Sequence, residues 1–199
     1  GLPQGGILSP ILYALYTAEL ETLFPKDIKI LQYADDVCIY VIRPSFQECK
    51  DFMEEALMKL EMWTIENGLD ISEKKSVICP FTKKRRLPML DTIRLAGRSY
   101  PCEKSAKFLG LILDKTLNWK EHIKKTEKKT EKYFNILRAV SHHKWGADPD
   151  ISLMFYRATI RSVLDFGSMF YGTAKKTTFK PLQILQNKCL RLCLGFLRS

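Results

Sequence analysis

Ile28-Lys29-Ile30-Leu31-Gln32-Tyr33-Ala34-Asp35-Asp36-Val37-Cys38-Ile39-Tyr40-Val41-Ile42 decides how the chain folds, and its centre is Tyr33-Ala34-Asp35-Asp36. Apolar, β-prone residues lie on both sides, 28–31 before the acidic pair and 37–42 after it. The second run is continuous, which predicts a strand buried on both faces. Two such runs joined by a tight acidic turn read as a β-hairpin, because Asp tolerates the left-handed geometry that hairpin turns demand. Asp35 and Asp36 then stand side by side on a rigid tip. Adjacent like charges are costly without a cation. A hard divalent ion such as Mg²⁺ is the fitting one, since it prefers carboxylate oxygens and leaves room for water and phosphate. Asp-Asp is also ordinary turn chemistry, so the flanking sequence has to decide.

Upstream, Gly1-Leu2-Pro3-Gln4-Gly5-Gly6-Ile7-Leu8-Ser9-Pro10 is a Gly/Pro-rich loop leading into a helix. Ser9 suits the N-cap and Pro10 the first helical position. Ile11, Leu12, Leu15, Leu20 and Leu23 supply one apolar face, and Pro25 stops the helix. Gly5 and Gly6 let another backbone or a base pair approach closely, and Gln4 offers a donor and an acceptor beside them. A plain loop and helix start would use the same residues.

The 199 residues are 46% hydrophobic and 27% charged, a globular composition. Lys and Arg exceed Asp and Glu by 32 to 22, a net charge of +10, which favours a polyanionic partner. No apolar run is long enough to span a bilayer, and no basic-then-apolar leader opens the chain. Gly1 lies inside a motif, which reads as a piece of a longer protein. The six cysteines include no Cys-x-x-Cys pair and read as reduced core thiols of an intracellular protein. A zinc site from Cys189, Cys193, His142 and His143 fits no usual ligand spacing.

Downstream of the hairpin, residues 45–66 carry Phe52, Ala56, Leu57, Leu60, Trp63 and Thr64 at helical spacing, and Asn67-Gly68 ends the helix. Lys74 and Lys75 follow in a polar stretch, and Lys83-Lys84-Arg85-Arg86 forms a basic cluster between Pro80 and Pro88. Residues 93–97 read as a strand with a turn. Lys107-Phe108-Leu109-Gly110-Leu111-Ile112-Leu113-Asp114 reads as strand, bend and strand, where a glycine admits a sugar-phosphate backbone. The character then changes. Trp119, Ile123, Thr126, Thr130, Tyr133 and Leu137 trace one face of a long helix, while Lys120, Lys124, Lys125, Lys128, Lys129 and Lys132 crowd the other. Such a helix would track phosphates, or be a solvated surface partly balanced by Glu121, Glu127 and Glu131. Helices over 151–170 and 179–196 complete the chain.

The ordered pair Gly-Leu-Pro-Gln-Gly-Gly-Ile-Leu-Ser-Pro-Ile-Leu at 1–12 and Tyr-Ala-Asp-Asp at 33–36 resembles the reverse transcriptases of non-LTR, jockey-like retrotransposons. The resemblance implies an α+β fold: a partial polymerase palm over residues 1–114, an antiparallel sheet with covering helices, followed by a helical thumb over 115–199. It implies RNA-directed DNA polymerase activity in the intact protein, with Mg²⁺, or Mn²⁺ in its place, on Asp35 and Asp36. Pro3, Gln4, Gly5, Gly6 and Tyr33 would lie along template and nucleotide. Lys75, with Lys74 as the alternative register, would face the triphosphate. The segment departs from the family's Gly-Leu-x-Leu-Asn-Pro-x-Lys pattern at Ile71, Ser72 and Glu73. Phe108, Leu109 and Gly110 match the family's primer-holding hairpin, and Lys120, Lys124 and Lys128 would meet duplex phosphates. The implied partners are an RNA template, a DNA primer, deoxynucleoside triphosphates and further domains of the same polyprotein, in nucleus and cytoplasm, with no membrane. In the family the first catalytic aspartate precedes the glycine-rich segment, so the expectation is that these residues alone do not polymerise. The rival readings are a non-catalytic nucleic-acid-binding remnant and an intron-encoded polymerase.

Overall fold

A computed structural model describes residues 3, 5–84, 92–95, 98–141 and 146–196. It is an α+β protein of helices and small antiparallel sheets, in two compact units, Gly1–Leu109 and Gly110–Ser199. Among the described residues no helix is long and apolar enough to cross a membrane.

In the first unit, helices α1 (Ser9–Tyr16) and α2 (Leu20–Leu23) precede the hairpin of β1 (Ile28–Tyr33) and β2 (Asp36–Val41). The long helix α3 (Phe46–Glu66) follows, then strands β3 (Ile93–Leu95), β4 (Arg98–Tyr100) and β5 (Ser105–Phe108). The single helix expected over the first stretch is two. The helix ends at Tyr16 with Thr17 as its C-cap, and the Thr17 N–H and hydroxyl both donate to the Tyr13 carbonyl (3.0 Å each). Leu20 is buried, but Ile11, Leu12 and Leu15 are exposed.

β1 and β2 pair antiparallel from Ile28 opposite Val41 to Tyr33 opposite Asp36. Ile28, Ile30 and Ile39 pack with Phe24 against Ala56 of α3. The opposite face carries Leu31, Tyr33 and Tyr40, all exposed. The strand expected to be buried on both faces is therefore covered on one: a two-stranded sheet with one helix laid on it has a single inside. α3 itself runs as its spacing predicts, with Ala56, Leu57, Trp63 and Thr64 buried, and ends at Asn67 with Gly68 at φ +62°. Leu57 and Ile93 join a second small cluster with Met53, Ile71, Ile78 and Tyr100.

The second unit begins with β6 (Leu111–Asp114) and α4 (Lys120–Val140). Between them Asp114, buried, gathers the chain. Its Oδ1 accepts from Thr116 N (3.1 Å), Thr116 Oγ1 (2.8 Å) and Asn118 N (3.2 Å), and its Oδ2 from Trp119 N (2.8 Å). Burial raises the Asp114 pKa, but these hydrogen bonds outweigh it and hold it below the ordinary value. Leu117 and Trp119 take left-handed φ (+52° and +66°) inside this network. α5 (Pro149–Phe155), a π-helical turn over Tyr156–Arg161 and α6 (Ser162–Asp165) form one helical run. Gly167 ends it at φ +70°, where a Cβ would stand 2.4 Å from Leu111. α7 (Ser168–Tyr171) and α8 (Lys176–Cys193) follow. The core joins Ile123 and Leu137 of α4 to Tyr156, Ile160, Leu164, Tyr171, Leu182, Cys189 and Cys193. Cys189 and Cys193 are free thiols buried in this core, whereas Cys38, Cys49, Cys79 and Cys102, also expected as core thiols, are only half-buried. His142 and His143 lie outside the described residues.

Candidate active site

Pro3 and Gly5 to Ser9 form a tight loop. Gly6 N and Ser9 Oγ both donate to the Pro3 carbonyl (3.4 and 2.7 Å). Ser9 thus fastens the loop to the start of α1 instead of capping the helix, whose N-cap is Leu8. Gly5 stands at φ +84° with open space beside it. At Gly6 a Cβ would lie 2.7 Å from Ser9 Oγ, so a side chain there would push the Ser9 hydroxyl off the Pro3 carbonyl. Pro3, Gly5, Gly6, Ser9, Pro10, Tyr13 and Asp35 line one open groove of about 590 Å³. The glycine-rich loop and the acidic turn, far apart in sequence, share it.

The turn itself is the two residues Ala34 and Asp35 between paired Tyr33 and Asp36. Ala34, not an aspartate, takes the left-handed φ (+51°) that a tight hairpin needs at its first position. Asp35 faces the groove, while Asp36 and Tyr33 are exposed at the strand ends and do not line it. Burial raises the Tyr13 pKa first, and the Asp35 carboxylate and Tyr16 add to it, so Tyr13 stays a neutral phenol near a negative charge. The oxygen donors of Asp35 and Asp36 suit a hard divalent ion that keeps several waters. Among the described residues no cluster of three or more His, Cys, Asp or Glu completes a metal cage. Of the two, Asp35 alone lines the groove, so an ion held there would need further oxygens from substrate, water or another part of the protein.

Lys75 sits exposed in a turn closed by Lys75 N and Ser76 N on the Ser72 carbonyl (3.1 and 3.0 Å), and it does not line the groove. Gln4, Arg85 and Arg86 lie outside the described residues. At the bend after Phe108, Leu109 and Gly110 take consecutive left-handed φ (+44° and +86°). A Cβ on Gly110 would lie 3.0 Å from the Phe166 ring, so an aromatic edge already occupies the space that glycine opens. Along α4, Lys120, Lys124 and Lys128 are exposed on one stripe, with Lys125, Lys129 and Lys132 beside it. Among the described residues none of these lysines forms an ion pair within 4 Å.

Tyr13, Thr17 and Gln32 belong to this neighbourhood and were not singled out by motif. Gln32 directly precedes the acidic motif, and Tyr13 stands one helical turn after Ser9, which is the only sign of them in the sequence.

The family model for "Reverse transcriptase (RNA-dependent DNA polymerase)" matches residues 1–113. The "Probable RNA-directed DNA polymerase from transposon BS" of Drosophila melanogaster is 27% identical over 197 residues, 96% of this chain and 22% of that protein. The "Probable RNA-directed DNA polymerase from transposon X-element" of the same species is 29% identical, over 98% of this chain and 22% of that protein. The "RNA-directed DNA polymerase from mobile element jockey" of Drosophila funebris is 26% identical, again over 98% and 22%. The chain thus spans less than a quarter of the length of these curated relatives. No solved structure matches it. The matched segment takes in more than half of the chain, including the glycine-rich loop, the acidic hairpin and the groove they share, and on that ground the chain belongs to the reverse transcriptase family.

Proposed function

We propose that this chain is the metal-holding and duplex-guiding part of an RNA-directed DNA polymerase of a non-LTR retrotransposon. Residues 1–114 are read as the C-terminal part of its palm and 115–199 as its helical thumb. The observation that carries the reading is the groove in which Asp35 meets the glycine-rich loop. Loop glycines admit a flat, close-lying group such as a base pair, and a carboxylate beside them can hold the ion that accompanies a triphosphate.

The reaction is nucleotidyl transfer from a deoxynucleoside triphosphate to a primer on an RNA template. A divalent ion, Mg²⁺ or Mn²⁺, supplies activation of the primer hydroxyl and neutralisation of the leaving pyrophosphate. Asp35 is the direct ligand and Asp36 an accessory carboxylate. Pro3, Gln4, Gly5, Gly6 and Tyr33 border template and incoming nucleotide. Lys75, or Lys74 in the neighbouring register, meets the triphosphate as a cation. Phe108, Leu109 and Gly110 steady the primer end, and Lys120, Lys124 and Lys128 contact duplex phosphates. The intact polyprotein would supply the remaining carboxylate and further domains.

The test is primer extension by the intact protein. Asp35→Asn should lower the rate at least 10³-fold while template–primer binding is unchanged. The 199-residue chain alone should bind the duplex without extending it. Extension by this chain alone, lost in Asp35→Asn, would overturn the division of labour. Full activity of Asp35→Asn in the intact protein would overturn the site.

A further inference from the structure

Thr17, buried at the end of α1, donates its hydroxyl proton to the Tyr13 carbonyl (3.0 Å). The same hydroxyl accepts from Nε2 of Gln32 (2.7 Å), and Nε2 also donates to the Ala34 carbonyl (3.2 Å). A backbone carbonyl only accepts, so the side chain must present its NH₂ to the turn, and each of its two protons has a partner. The relay thus runs from Tyr13, on one wall of the groove, to Ala34, next to Asp35 on the other. Ala34 holds a left-handed φ that costs an L-residue energy and persists only where its surroundings enforce it.

We propose that Gln32 is a positioning residue: its carboxamide ties the acidic turn to the end of α1, through Thr17, and so fixes the direction in which Asp35 enters the groove. The inference rests on the reading of Asp35 as a metal ligand. A two-residue turn on an exposed hairpin tip has no side-chain core to hold it. The clamp supplies the second point of attachment, and a preorganised carboxylate binds its ion without a further ordering cost.

Gln32→Met keeps the length of the side chain and removes both donors. Thr17→Val keeps the branched shape and removes the hydroxyl, and Thr17→Ser retains it. In the intact polymerase, Mn²⁺ binding followed by electron paramagnetic resonance should weaken about tenfold in Gln32→Met and in Thr17→Val. It should stay at the wild-type level in Thr17→Ser. The Gln32→Met/Thr17→Val double variant should be no weaker than either single one, because one relay is broken either way. Primer extension should lose kcat while KM for template–primer holds. A lowered melting temperature in both variants with Mn²⁺ binding unchanged would overturn the proposal, leaving the clamp a purely structural contact. Asp35→Asn separates the two levels. If it abolishes Mn²⁺ binding and Gln32→Met does not weaken it, the positioning role fails and the ligand reading stands. If Asp35→Asn binds Mn²⁺ like the wild type, the ligand reading fails and the proposal falls with it.

Discussion

Ala34 carries the cost of the acidic turn. A residue with a Cβ at φ +51° is strained, and glycine is not. Ala34→Gly should therefore raise the stability of the first unit, by on the order of 0.5–1 kcal/mol in urea unfolding. Asp114 plays the opposite part, since its carboxylate satisfies three backbone N–H groups and a hydroxyl ahead of α4. Asp114→Ala strands those donors and should cost about 3 kcal/mol. His122 offers a test by pH. It is buried, its Nδ1 accepts from Ile112 N (3.3 Å), and its ring tilts against Tyr171 at 5.2 Å. Burial first, and Lys125 second, hold its pKa below the ordinary value. The unfolded chain then takes up a proton that the folded chain refuses. Stability is full above about pH 6.5 and falls as pH drops from there toward the depressed folded value. Denaturant midpoints from pH 7.5 to 5 should show the decline, and His122→Asn should flatten it.

Among the elements, α3 and the buried face of α4 were legible from spacing alone, because each buries one stripe of its surface and leaves the rest to solvent. The C-terminal end of α3 was marked by Asn67 and Gly68. The break at Thr17 was not legible. No Gly or Pro signals it. Nor was the π-helical turn over Tyr156–Arg161, whose residues are ordinary helix formers set by how Tyr156, Ile160 and Leu164 reach a common core. The other face of α4 makes its own prediction. Lys120, Lys124 and Lys128 are exposed, so changing all three to Gln should leave the melting temperature unchanged. If each meets a phosphate, the slope of log K against log salt for a template–primer duplex should fall by about 2 to 3. An unchanged slope would mark the stripe as solvated surface.

For the molecule as a whole, charge and motif order pointed to a nucleic-acid partner, and the glycine-rich loop and the acidic turn each stood out as a motif in one dimension. The link between them did not, since Tyr13, Thr17 and Gln32 acquire their roles only when α1 and the hairpin fold together. How far the hairpin is buried was equally hidden, because burial depends on what lies against a strand and not on the strand. The second unit hides two of its nucleophiles. Burial, chiefly, pushes the Cys189 thiol up to about 12, and the Cys193 thiol is raised as well, with its Sγ donating to the Ser152 carbonyl at 3.4 Å. Neither forms a thiolate at neutral pH, and neither is within reach of a reagent. Iodoacetamide can therefore mark them only during excursions in which α8 lifts away, and the labelling rate of their peptide becomes a clock for how often that happens.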